Sequence, residues 1–287
     1  MVMRKYIPGS KWVYFKIYTS ERYSKTLLKK DIRLFIKNLN GKGAIDRFFF
    51  IRYSDPEYHI RLRFRLKDLG SYPFVFLEFQ KRFEPLLNNG AIWDIQSHTY
   101  DRELERYGMK TIDIVEEIFQ ADSYSMFEII KLELNDITLI EMGIMIVLQY
   151  LALFKLSKEE TDKFINALAS SYQAEFKIKD NKASKVVNDK YRKYRSNVDR
   201  ILSGNINEPY DAILRSRECA LSNCVLKLIT TSKEISSGVN IHELIGSIIH
   251  MSLNRLFPIA SRLQEALIYY FINKSIQSQN ARRKIIK

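Results

Sequence analysis

One stretch limits what this chain can fold into: residues 48–66, FFFIRYSDPEYHIRLRFRL. Two short runs of aromatic and branched residues flank Ser54-Asp55-Pro56-Glu57. Proline pre-sets φ for a tight turn, and side chains of this kind on either side favour extended backbone, so the stretch reads as strand, turn, strand. Successive side chains of a strand point to opposite faces. That puts His59, Arg61, Arg63 and Arg65 on one face of the second arm and Ile60, Leu62, Phe64 and Leu66 on the other. The greasy face can enter a core. The other is a ladder of cations that repel one another, and a guanidinium cannot escape by losing its proton. Either water covers such a face or anions do. The first outcome is a solvated edge strand whose charges discourage aggregation. The second is a preformed clamp for carboxylate or phosphate, because the guanidinium is a planar fork that binds such groups through paired hydrogen bonds.

The rest of the chain sets the class. Its 287 residues suffice for one large domain or two ordinary ones, and 46% are hydrophobic, which excludes a disordered chain. Few Gly and Pro favour long regular elements. The net charge of +13 attracts something acidic: nucleic acid, an anionic membrane surface, an acidic peptide or a small polyacid. Cys219 and Cys224 alone provide neither a disulfide framework nor zinc spacing. The start, MVMRKYIPGSKW, lacks the apolar core of a signal peptide. The longest apolar run, residues 139–156, is interrupted by Glu141, Gln149 and Lys155, so a buried helix is expected rather than a membrane span. The expected compartment is the bacterial cytoplasm.

Alternation predicts a strand over 12–18, with Trp12, Tyr14, Lys16 and Tyr18 on one face, and another over 92–100. Helical spacing predicts helices over 21–39 and 71–87. From residue 111 on almost everything reads as helix: 111–121, 126–133, 139–156, and 157–176 opened by the capping box of Ser157 and Glu160. The segment 177–193 mixes Lys, Arg and Tyr with Asp, which fits a solvated helix face better than a nucleic-acid surface. Further helices are expected from Glu208-Pro209 to 228, over 240–257, and over 259–277. The fold class is therefore α+β: an N-terminal antiparallel sheet with helices, followed by a mainly helical C-terminal half. Residues 1–287 are expected to form a single stand-alone domain, sheet-rich over 1–110 and helical over 111–287.

No phosphate loop, dinucleotide fingerprint or metal triad is present. His242 and His250 lie roughly 12 Å apart along a helix axis, too far to share a metal, and no cofactor is expected. In the helix around them His242, Gly246, His250 and Asn254 form a polar stripe beside an apolar arc. His250 is either a core-edge histidine bonded to a carbonyl or an imidazole that lines a cleft as a general base.

FFFIRYSDPEYHIRLRF, then YDRELERYG, then SIIHMSLNRLF, with W-x-Y-x-K-x-Y ahead of them, together resemble the C-terminal domain of lantibiotic dehydratases, which also occurs alone as the thiopeptide-type bacteriocin biosynthesis protein. The resemblance spans nearly the whole chain. It implies the second step of a peptide dehydration. A separate glutamyl-tRNA-dependent protein esterifies Ser or Thr of a precursor peptide, and this domain eliminates the glutamate, leaving dehydroalanine or dehydrobutyrine. The family's elimination residues fall on Arg61, Arg63, Arg106 and His250. Arg102 is the nearby alternative to Arg106, because Met109 stands where the family usually has a second Gly. Arg52, His59, Arg102 and Asn254 are the candidate substrate-binding residues beside them. Within the family the competing expectation is a pyridine synthase that joins two dehydroalanines in a formal cycloaddition. Outside it, the competing expectation is a non-catalytic basic module that holds an acidic peptide or RNA. The elimination reading implies the glutamylated peptide and the glutamylating protein as partners, with no direct nucleic-acid or membrane contact.

Overall fold

The computed structural model describes residues 2–177, 181–206, 210–234 and 240–285. The predicted helix start at Glu208-Pro209 lies outside them. A short strand, β1 (Lys5–Tyr6), precedes β2 (Trp12–Thr19). Helices α1 (Glu21–Leu27) and α2 (Arg33–Gly41) are joined by a π-helical turn, Leu28–Ile32, so the helix expected over 21–39 is unbroken. Ser20 starts it by accepting a hydrogen bond from the Tyr23 amide. The hairpin is β3 (Ile45–Tyr53) and β4 (His59–Leu66). Next come α3 (Tyr72–Asn88), β5 (Ile92–Ser97), β6 (Tyr100–Asp101), α4 (Leu104–Tyr107) and α5 (Ile112–Lys131). An antiparallel sheet runs in the order β3-β4-β2-β5, and β1 pairs with β6 in a separate ribbon.

The register decides what faces what. Arg61 pairs with Lys16 on one side and Ile51 on the other, and Arg63 with Tyr14 and Phe49. His59 lies between Tyr18 and Tyr53. The cation face is thus continued by Tyr14, Lys16 and Tyr18 of β2. The opposite face carries Phe15, Leu62 and Phe64 into a core closed by α2 and α3. There Phe15 stacks on Phe79 at 4.0 Å, and Phe35 meets Phe64 edge-on at 5.8 Å. Each such buried ring contributes about 1.5–3 kcal/mol.

Helix α5 is continuous, where sequence spacing predicts two helices broken at 122–125. Two of the polar residues there that look like a linker, Asp122 and Ser123, are buried. The side chains of Gln120 and Ser123 accept from the amides of Phe48 and Phe50 on the outer edge of β3. Helix α10 (Ile241–Leu256) finishes the edge. Asn254 bonds both the amide and the carbonyl of Arg52, Arg255 donates to the carbonyl of Phe50, and Asp122 pairs with Arg255 at 3.0 Å. An open strand edge is thereby capped by side chains.

The chain groups into two compact units, each discontinuous in sequence: Met1–Glu133 with Cys219–Ile259, and Leu134–Glu218 with Ala260–Lys287. The first holds the sheet and α10. The second is helical, built from α6 (Asp136–Leu153), α7 (Lys158–Glu175), α8 (Asn181–Leu202), the start of α9 (Tyr210–Glu234), and α11 (Ser261–Ile285). Ser157 and Glu160 form the expected capping box. Helix α6 is long and apolar enough to cross a membrane by length and composition, and Ile144, Ile146 and Tyr150 on it are buried.

Candidate functional site

Arg61 and Arg63 come from a central strand, so backbone pairing on both sides fixes them. Arg63 is only 9% exposed. Its guanidinium lies against the rings of Tyr14, Tyr100 and Phe49, at 4.4, 4.9 and 5.4 Å. Its Nε is buried without a hydrogen-bond partner. Arg61 lies over the ring of Tyr53 at 3.4 Å. Arg65, the remaining rung, is neutralised by Asp46 at 2.7 Å. No carboxylate among the described residues forms an ion pair with Arg61, Arg63 or Lys16. Cation–π contacts soften such a charge by about 0.5–2 kcal/mol, but they do not compensate it. The ladder is therefore neither a solvated edge nor an internal salt-bridge network. It is positive potential held ready between aromatic walls.

His59 is fully buried between Tyr18 and Tyr53. Burial pushes its pKa below the ordinary histidine range, and the charges of Arg61, Lys16 and Arg63 act in the same direction. The neutral ring donates from Nδ1 to the carbonyl of Glu57 and accepts from Arg61 Nε at Nε2, 3.1 Å away. His59 thus orients Arg61. Burial also lowers the pKa of Lys16, followed by Arg61 and Arg63.

The other side of the site comes from α4 and α10. Arg106 donates from Nε to Ser247 Oγ at 2.9 Å and pairs with Glu103 at 3.3 Å. His250 is one turn beyond Ser247, and Asn254 one turn further, so all three share a face of α10. That face meets Arg106 at one point and the end of β3 at the other. Tyr107 links the two sides. Its buried hydroxyl has no hydrogen-bond partner, and burial pushes its pKa up to about 12 while the charges of Arg106 and Arg63 both act on it. Gly108 makes the following turn at φ 78°, a conformation that suits glycine, and Met109 beside it is exposed.

Three candidates do not belong with this group. Arg52 is on the greasy face of β3, opposite the ladder, and is 3% exposed. Its fork is spent on the Arg255 carbonyl, Ser24 and Tyr58. Asn254 caps the β3 edge through both its amide groups. Arg102 is likewise 3% exposed, and its guanidinium is engaged by Glu116 at 2.6 and 2.8 Å and by Asp113 at 2.7 Å. Of the two arginines near the RYG turn, Arg106 is the one that reaches α10. Tyr14, Lys16, Tyr107 and Ser247 were not singled out as site residues by sequence alone. The alternation of Trp12 to Tyr18 groups Lys16 with the tyrosines but does not show what that face meets.

The chain is similar to several known proteins. The nisin biosynthesis protein NisB of Lactococcus lactis subsp. lactis is 31% identical over 286 residues, 96% of this chain and 26% of that protein. The subtilin biosynthesis protein SpaB of Bacillus subtilis is 28% identical, over 91% of this chain and 25% of that protein. The chain thus spans about a quarter of the length of these relatives. Among solved structures, the tRNA-dependent lantibiotic dehydratase MibB from Microbispora sp. 107891 superposes with a TM-score of 0.76 at 19% identity, over 96% of this chain and 29% of that one. The pyridine synthase TbtD from thiomuracin biosynthesis shares the fold with a TM-score of 0.61 at 14% identity, over 93% of this chain and 97% of that one. The model of the lantibiotic biosynthesis dehydratase C-terminal family matches residues 12–276, and the chain belongs to that family.

Proposed function

We propose that this protein eliminates glutamate from glutamylated Ser or Thr of a precursor peptide, leaving dehydroalanine or dehydrobutyrine. The observation that carries this reading is Arg63, a buried guanidinium with an unpartnered Nε, beside Arg61, which like it has no carboxylate partner among the described residues. Such a pair binds an anion that arrives and leaves. In the reaction a base removes the Cα proton of the esterified residue, the Cα–Cβ double bond forms and the Cβ–O bond breaks. Glutamate departs with two carboxylates. Arginine forks fixed in advance favour the charge as it develops, when it is largest. His250 takes the Cα proton or hands one on, and Arg106 supports the same end of the site. Both compact units serve this one activity. A glutamyl-tRNA-dependent activity supplies the ester, and the bacterial cytoplasm, where that tRNA is found, is the compartment. The protein itself needs no nucleic acid, membrane or cofactor.

The fold shared with TbtD supports one rival, closure of a ring between two dehydroalanines. A single experiment separates them. The protein is incubated with a glutamylated precursor peptide, without tRNA, and masses are followed. Loss of one glutamic acid per site is expected, leaving each site one water lighter than the unmodified Ser or Thr, with Arg63→Ala and His250→Ala folded but inactive. An inert parent that instead closes a ring on a peptide already carrying dehydroalanines would favour the rival. Parent-like rates in both variants would remove the site assignment.

A further inference from the structure

The elimination reading assigns no role to Lys16, yet Lys16 belongs to the same cluster. It is on β2, an interior strand, half-buried, with Arg61 opposite it on β4 and Gln96 opposite it on β5. Tyr14 and Tyr18 flank it on the same face. Lysines that discourage aggregation belong on exposed edges, where the charge is solvated. This one loses solvent and gains two guanidinium neighbours. The nearest acid on its face, Asp94, accepts from Gln96 at 2.7 Å, and Gln96 accepts from Tyr18. Nothing among the described residues compensates Lys16.

Neighbouring strands lie about 4.8 Å apart, and alternate residues of one strand about 6.8 Å. Lys16, Arg61 and Arg63 therefore mark a triangle that a five-carbon dicarboxylate can bridge. We propose that Lys16 is a specificity-determining ligand that grips the glutamyl carboxylate remote from the scissile ester while Arg61 and Arg63 hold the departing one. This rests on the elimination reading and extends it to the choice of acyl group. A monocarboxylic ester would leave Lys16 unsatisfied. Glutamate satisfies all three cations at once and relieves their mutual repulsion.

Calorimetric titration at fixed ionic strength tests this, with glutarate and butyrate as probes. A charge-assisted contact of about 1.5–3 kcal/mol converts to a factor of about ten to a hundred in Kd. Lys16→Met is expected to weaken glutarate by that factor and leave butyrate unchanged, with Lys16→Arg recovering most of the loss. Near-ultraviolet circular dichroism confirms that both variants are folded. If Lys16→Met binds glutarate like the parent while Arg63→Ala does not, the role of Lys16 is refuted and the elimination site survives. If the parent binds no glutarate, the dicarboxylate site falls altogether.

Discussion

Replacing Arg102 by Met separates a structural arginine from a functional one. Arg102 and Glu116 are 3% and 0% exposed, held by contacts of 2.6 and 2.8 Å, with Tyr100 donating to the same carboxylate at 2.8 Å. Removing one member of a buried pair leaves the other desolvated and uncompensated, which costs about 3–5 kcal/mol. Arg47, 3.7 Å from Glu116, retains part of the compensation. The loss should therefore lie near the lower figure, about 3 kcal/mol, or about 6–12 °C in Tm for a unit of this size. Adding Glu116→Gln should recover part of it, because the stranded charge is then gone. Urea unfolding gives the stability, and glutamate release per folded molecule gives the activity. Arg102→Met should unfold early yet turn over at the parent rate while folded. Arg106→Met should do the reverse. An Arg102→Met protein as stable as the parent and unable to release glutamate would overturn the division of roles.

Three more outcomes follow from the same geometry. The folded-state pKa of His59 is depressed by burial, so the folded protein binds fewer protons than the unfolded chain below about pH 6.5, and the stability tied to His59 is complete above that pH and lost as pH falls toward the folded value. Urea midpoints should accordingly drop more between about pH 7.5 and pH 5.5 in the parent than in His59→Gln. Arg63→Met removes a buried cation that has no counter-ion, so it should raise stability by about 1 kcal/mol while abolishing release, whereas a loss of that size would make Arg63 a structural residue. Asn254→Ala strands the amide and carbonyl of Arg52 and should cost about 1–3 kcal/mol, with faster hydrogen exchange at the Arg52 amide and turnover retained.

How much of this could be read from the chain differs from element to element. In β4 apolar and basic residues alternate strictly, so its two faces were legible. In β3 the run Phe48 to Ile51 is apolar on both faces, and parity could not show that Arg52 points away from the ladder. Asp122 and Ser123 looked like a helix break because their partners, Arg255 and the amide of Phe50, are far away in sequence. The engagement of Arg102 by Glu116 is equally non-local. Lys16 illustrates the same limit: its face of β2 was plain, but only the register with Arg61 gives that face a meaning. His250 was legible as part of a helical stripe, and its relation to Arg106 appears only once Ser247 is seen to join α4 to α10.

Elimination and simple ester hydrolysis both release glutamate, so the fate of the Cα hydrogen decides between them. A precursor peptide whose esterified serine carries deuterium at Cα, incubated with the protein alone, should yield dehydroalanine without the label, with one free glutamate per site. The rate should fall below detection in Arg61→Ala and Arg63→Ala. Recovery of serine with its deuterium intact would mean that the two guanidinium groups serve some other chemistry.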